Sequence, residues 1–218
     1  MPTMPPRKTV AIIVSIICVI LLTIGITVYV VSRGEDTNSA DIDAASLDHI
    51  HDGSSLSFGQ RDAHTVVDVV IEPQCPACHT LLQDMNNKKN HHAVSTGAMR
   101  INIYPLTFLS KDGLSEKIIA GWMAFYAKDT STYKSDSLRY IMNTITKLTP
   151  GYASPGNVAD VMGISESDIE NIPLSDIEHV TSLGMQLIHH APPERQSTPL
   201  VFIDGHIVSN DNDLALII

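Results

Sequence analysis

The sequence predicts an α/β domain that is interrupted by a helical insertion and preceded by one transmembrane helix. Three observations predict it. A β-branched run, His64-Thr65-Val66-Val67-Asp68-Val69-Val70-Ile71, leads into Cys75-Pro76-Ala77-Cys78 and then into apolar residues at helical spacing. Near the C-terminal end, Leu200-Val201-Phe202-Ile203 and His206-Ile207-Val208 flank Asp204-Gly205, the dipeptide of a tight hairpin. Between these β regions lie long segments whose apolar residues recur with the period of a helix face.

The N-terminal part sets the topology. Val10 to Val31 contains no charged residue, and a hydrocarbon core needs roughly 20 helical residues to cross. Residues 10–31 are therefore expected to be a membrane anchor. Arg7 and Lys8 precede the run, whereas Arg33 is followed at once by Glu35 and Asp36. Residues 1–9 are then cytoplasmic and the C-terminal body lies outside. A cleaved signal peptide is the competing reading, but the run is longer than a signal h-region and no convincing A-x-A site follows it. Cys18, in the middle of the run, reads as a buried apolar thiol.

Residues 32–54 are rich in Asp, Ser, Gly, Asn and Ala. Such a composition reads as a flexible acidic tether, about 22 residues long, that would hold the following domain ~25 Å from the membrane surface. The remaining residues, 55–218, suit a single domain. The net charge is −10, and all 24 acidic residues lie beyond the apolar run, with every basic residue except Arg7 and Lys8. An acidic surface of that kind argues against a nucleic-acid partner.

The cysteine pair sits where a strand turns into a helix. Pro76 suits the first helical turn, and Leu81, Leu82 and Met85 follow Cys78 at i+3, i+4 and i+7. Unpaired N–H groups and the helix dipole stabilise an anion there. Cys75 is expected at the N-cap with its sulfur toward solvent, and Cys78 one turn in and shielded. That asymmetry suits thiol–disulfide exchange, in which a thiolate attacks and a second thiol resolves the mixed disulfide. A static disulfide is the plainer alternative. A thiolate zinc site would need a second C-x-x-C, and the only other cysteine is Cys18.

Within the insertion, about residues 110–193, Ile118, Ile119, Trp122, Met123 and Tyr126 form one apolar face. Leu138, Ile141, Met142, Ile145 and Leu148 form another. Ser175 and Glu178 read as a capping box opening a third helix with Ile177, Val180, Gly184, Leu187 and Ile188 inward. Residues 157–162 read as a shorter helix among turns. Thr198-Pro199 stands immediately before the hairpin, where a proline must open a strand or occupy a special turn.

The order strand, C-x-x-C, helix, helical insertion, Thr-Pro, hairpin resembles the DsbA-like branch of the thioredoxin superfamily, in the membrane-anchored form common among actinobacteria. The resemblance covers residues 55–218 and rests on Glu72-Pro73-Gln74-Cys75-Pro76-Ala77-Cys78 together with Thr198-Pro199-Leu200-Val201-Phe202-Ile203-Asp204-Gly205. It implies a thioredoxin fold with an inserted helical subdomain and a cis Thr198–Pro199 bond that places Thr198 beside Cys75. Two departures stand out. Ala77 replaces the histidine that many members carry between the cysteines, which implies a less strongly oxidising disulfide. His79 partly compensates or is simply a surface histidine. The acid that members often carry six residues before the first cysteine is replaced by Val69. Glu72 is then a candidate for proton handling, against the alternative of a solvated turn acid.

The expected function is oxidation of cysteine pairs in exported proteins through a Cys75–Cys78 redox disulfide, at the cell membrane and outside the cytoplasm. No cofactor or metal is implied, and the resemblance points to a membrane re-oxidant of the DsbB or vitamin K epoxide reductase type. A reductase or isomerase would use the same pair. A non-enzymatic copper-binding or assembly protein would use the thiols with a histidine. The histidine pairs His49 with His51, His91 with His92, and His189 with His190 point in divergent directions and do not read as a metal site.

Overall fold

The computed structural model describes residues 56–110, 112–148, 152–208 and 217. The expected cytoplasmic segment, membrane anchor and tether lie outside the described residues, as do Cys18, His49 and His51. Among the described residues, no helix is long and apolar enough to cross a membrane.

The centre of the fold is a five-stranded mixed sheet. Its strands are β1 (Leu56–Phe58), β2 (Thr65–Ile71), β3 (Met99–Pro105), β4 (Leu200–Ile203) and β5 (His206–Ile207). They lie in the order β1-β3-β2-β4-β5. β2 and β3 run parallel, with Ile71 beside Pro105, while β1–β3, β2–β4 and β4–β5 are antiparallel. The parallel pair needs a crossover, supplied by α1 (Pro76–Met85) and α2 (Lys88–Ser95).

Because β2 is central, both of its faces are buried, which explains its nearly continuous β-branched sequence. Val67, Val69 and Ile71 join the larger core with Cys78, Leu82, Ile118 and Trp122. Val70 faces the other way, into a smaller core with Tyr104, Phe202 and Leu187. Asp68 shares that second face. Its Oδ1 accepts hydrogen bonds from Asn102 Nδ2 at 2.8 Å and from the Tyr104 hydroxyl at 3.2 Å.

Between β3 and β4 the chain is helical: α3 (Leu114–Lys128), α4 (Ser135–Thr144), α5 (Val158–Met162), α6 (Glu166–Glu170) and α7 (Leu174–His190). The predicted stripes face inward, with Trp122, Leu138, Ile141 and Ile145 fully buried. α7 does not open on a capping box, however. Its N-cap is Pro173, so Ser175 already lies inside the helix, where its hydroxyl donates to the Asp176 carboxylate. Gly184 lets α7 approach β3, since a Cβ there would come within 2.8 Å of Leu106 Cδ2. The hairpin forms as expected, with Asp204 and Gly205 at φ 50° and 86°. Asp204 is pinned by the Val66 N–H, which donates to its carboxylate at 2.7 Å.

Candidate active site

β2 ends at Ile71, and Glu72-Pro73-Gln74 delivers Cys75 to the N-cap of α1 with extended backbone angles of φ −81° and ψ 117°. The Cys75 N–H donates to the Glu72 carbonyl at 2.9 Å, which closes the turn. Pro76 occupies the first helical turn, where its missing N–H costs no hydrogen bond. Pro76 and Ala77 are exposed and form the rim. Cys78, one turn in, is fully buried beside Leu82 and Met85.

The expectation that the Cys75 sulfur faces open solvent is corrected: Cys75 is only 8% exposed. The segment ahead of β4 covers it. The Thr198–Pro199 bond is cis, and the Cys75 thiol donates to the Thr198 carbonyl oxygen at 3.6 Å across 123 residues of sequence. Beside Pro199 runs a groove of about 150 Å³ lined by Leu81, Ser197, Leu200 and Val201, with Arg195 at its edge. The two cysteines are free thiols in this structure.

Burial pushes the Cys78 thiol up to about 12, with smaller opposing hydrogen bonds from the Glu72 main chain and the Thr198 side chain. Cys75, whose sulfur is close enough to interact, adds to the upward shift. Cys78 is therefore a proton-bearing thiol at neutral pH, shielded from outside reagents.

Glu72 is not a solvated turn acid. It is fully buried, and burial raises its carboxyl above the usual range against hydrogen bonds from Ser115 and Gln74. The Ser115 hydroxyl donates to Oε1 at 2.5 Å and the Gln74 N–H to Oε2 at 2.7 Å. His79 is not a surface residue either. It is 6% exposed, and its Nε2 lies 2.6 Å from the Pro73 carbonyl oxygen, so the ring braces the turn from below. His91 is also engaged, with Nε2 at 2.7 Å from Asn86 Oδ1. Ser115, which the sequence analysis did not single out, is the functional neighbour it missed. Nothing in its local sequence marks it, because its partner lies 43 positions away.

No protein-family model matches the chain, and no curated protein matches its sequence. Solved structures do match. The thiol-disulfide exchange protein α-DsbA2 from Wolbachia pipientis aligns over 79% of this chain and 90% of its own, at 16% identity and a TM-score of 0.58. MdbA, a thiol-disulfide oxidoreductase from Corynebacterium diphtheriae, aligns over 84% of this chain and 100% of its own, at 19% identity and a TM-score of 0.53. Oxidised BdbD from Bacillus subtilis aligns over 74% and 89%, at 15% identity and a TM-score of 0.54. At such identities the likeness establishes the fold: the chain carries a mixed α/β, thioredoxin-like fold shared with DsbA-like thiol-disulfide oxidoreductases.

Proposed function

We propose that the chain is a membrane-tethered, extracytoplasmic thiol–disulfide oxidoreductase that oxidises cysteine pairs of exported proteins through a Cys75–Cys78 disulfide. The observation that carries this reading is the placement of Cys75 at the N-cap of α1, with its sulfur 3.6 Å from the Thr198 carbonyl oxygen. A helix N-terminus stabilises a thiolate, and the Thr198–Pro199 segment offers an extended substrate backbone a partner beside the sulfur. The groove next to Pro199 extends that contact.

In the oxidising direction, a substrate thiolate attacks Cys75 Sγ, and the Cys75–Cys78 bond breaks. Cys78 leaves with the electron pair and takes up a proton. A second substrate thiolate then attacks its own sulfur in the mixed disulfide, forming the substrate disulfide and releasing Cys75 as thiolate. Two electrons have moved onto the cysteine pair. A membrane partner of the DsbB or vitamin K epoxide reductase type accepts them. Support for the tether is the uncharged run at residues 10–31 and the asymmetry of basic residues around it.

A Cys78→Ser variant tests the proposal, because it removes the resolving thiol and leaves Cys75 to trap its partners. Mixed disulfides through Cys75 with exported proteins are expected. Their absence, together with no alkylation of Cys75 near pH 7, would remove the basis of the reading. Equilibration against glutathione buffers sets the direction, since ~30 mV in reduction potential changes the equilibrium tenfold. With alanine at position 77, the expected outcome is an oxidase of moderate strength. A pair found reduced at the cellular glutathione poise would assign it as a reductase or isomerase instead.

A further inference from the structure

A second cavity, of about 240 Å³, opens at the other end of the sheet from the cysteines. Arg100 lines it from the start of β3, whereas the cysteine turn leaves the sheet where Ile71 pairs with Pro105, the end of the same strand. At ~3.3 Å per strand residue, the two sites stand roughly 15 Å apart. Arg61 and Lys134 line the cavity beside Arg100, and Tyr126, Tyr133, Ser57 and Gly59 complete it. No carboxylate is among these lining residues. In a chain of net charge −10, three cations gathered around one concave surface focus a positive field that the rest of the molecule lacks.

Arg100 makes the cavity more than a basic surface. It is only 8% exposed, and it donates from Nε to Asn102 Oδ1 at 2.9 Å and from Nη2 to the Ser57 hydroxyl oxygen at 3.2 Å. Both acceptors are neutral, and Nη1 makes no hydrogen bond among the described residues. Asn102 in turn donates to Asp68 Oδ1 at 2.8 Å, so the two buried charges are linked through a neutral amide. A guanidinium is almost never buried to this degree without an anionic partner. Here the uncommitted donor belongs to a side chain that lines an open cavity.

Lys134 is likewise spent on neutral oxygens. Its Nζ donates to the main-chain carbonyls of Tyr126 at 3.1 Å and Asp129 at 2.6 Å, and it lies 5.0 Å from the centroid of the Tyr126 ring. Strained backbone puts it there. Tyr133 and Lys134 are consecutive non-glycine residues at φ 58° and 57°, a left-handed conformation that such residues adopt rarely and that collects at ligand sites. The Gly59 N–H ties this turn to the edge of the sheet through the Tyr133 carbonyl at 2.9 Å. The neighbouring acids are engaged away from the cations: the Asp129 carboxylate accepts from the Ser131 and Ser137 N–H groups, each at 2.7 Å, and Asp62 accepts from Gln60 Nε2 at 2.5 Å.

We propose that this cavity binds a phosphate-bearing anion, held by Arg100 and Lys134 within and by Arg61 at the exposed rim. A phosphate monoester carries about −1.5 to −2 charges at pH 7 and three strong acceptor oxygens, and a guanidinium fork matches two of them at once. A carboxylate would bring one charge to three cations. The volume is several times the share of about 30 Å³ that one water occupies in the liquid, so a phosphate enters with part of its ester. Two sources supply this chemistry. One is a lipid headgroup, kept within reach because Ser57 follows the expected tether, residues 32–54, almost at once in the chain. The other is soluble phosphate or a soluble ester of it.

Titration calorimetry of the full-length chain in neutral detergent, with inorganic phosphate as the probe, tests the site. Saturable binding is expected, with acetate about tenfold weaker or worse because it brings a single charge, and with sodium chloride at equal ionic strength giving no saturable heat. Arg100→Gln should weaken phosphate about tenfold, the loss of one hydrogen bond to a charged group, and Arg61→Gln several-fold. Lys147→Gln, which removes the same charge from an exposed position outside the cavity, should change nothing. Arg61→Gln carries the test by itself if Arg100→Gln does not fold. Repeating the titration in phosphatidylcholine nanodiscs with and without phosphatidic acid separates the sources: competition by phosphatidic acid assigns a lipid headgroup, and an unchanged titration assigns a soluble phosphate. No saturable binding by the unmodified chain, or an affinity that neither Arg100→Gln nor Arg61→Gln lowers, would overturn the site. Cys75 and Cys78 are present in every variant, so the redox reading stands or falls apart from this result.

Discussion

The raised Cys78 thiol makes the reduced protein lose stability in alkali, by an amount that follows from the shift. Its pKa rises from 9.0 to about 12 on folding. Below pH 9, folded and unfolded chains both hold the proton and the group contributes no pH dependence. Above pH 9, the unfolded thiol ionises while the folded one keeps its proton, so the unfolded state binds fewer protons and stability falls with rising pH. The loss approaches ~1.4 kcal/mol per pH unit and continues until the folded thiol titrates near pH 12. Between pH 9 and 10.5 this amounts to about 2 kcal/mol. Urea unfolding of the reduced chain and of Cys78→Ala, each between pH 7.5 and 10.5, isolates the term as a difference. The oxidised chain, whose pair carries no thiol, should show none of it. A difference that stays flat across that range would refute the claim that burial holds the Cys78 proton.

Two further outcomes follow from packing. Gly59→Ala should cost ~3 kcal/mol or more, because Gly59 sits at φ +108° and a Cβ would come within 2.9 Å of the Arg100 Cα and still closer to the Met99 carbonyl oxygen, neither of which can swing away; urea midpoints measure it. Trp122→Ala should cost ~3–5 kcal/mol, since the indole is fully buried in the larger core, whereas Trp122→Phe should cost much less because the indole N–H has no hydrogen-bond partner to lose among the described residues.

What the sequence shows and what it hides divides along physical lines. β2, α1 and the β4–β5 hairpin are legible because each has a local signal: a doubly buried β-branched run, a proline in a first helical turn, and a D-G turn. α3, α4 and α7 are legible from apolar period, although the start of α7 is not, since Ser175-x-x-Glu178 imitates a capping box while the N-cap position falls on Pro173, which makes no side-chain cap bond. α2 is hidden because its sequence, Lys-Lys-Asn-His-His-Ala-Val-Ser, offers only Asn90 and Val94 to the interior. Asn90 earns its burial through long-range bonds, donating to the Met85 and Ile217 carbonyls at 2.9 and 2.6 Å. β1 spans three residues and α6 five, too short for any period to register.

At the site, the identity of the residues is local but their environment is not. Cys75 reads as an exposed N-cap until the Thr198 carbonyl is laid on it from 123 positions away. Glu72 reads as a turn acid until α3 brings Ser115 over it. His79 reads as a surface residue of a helix, and only the return of the turn places Pro73 against its ring. For Cys75 and Glu72, burial is decided by a segment that no short window of sequence contains; for His79 the partner is only six positions back, and the sharp turn hides it.

The most direct test of the central claim is oxidative refolding of reduced, denatured ribonuclease by the full-length chain in its Cys75–Cys78 disulfide form. Recovery of ribonuclease activity should outpace the uncatalysed reaction, consume one chain disulfide for each substrate disulfide formed, and vanish in Cys75→Ser. Recovery no faster than without the chain, with the Cys75–Cys78 disulfide still intact at the end, would contradict the account.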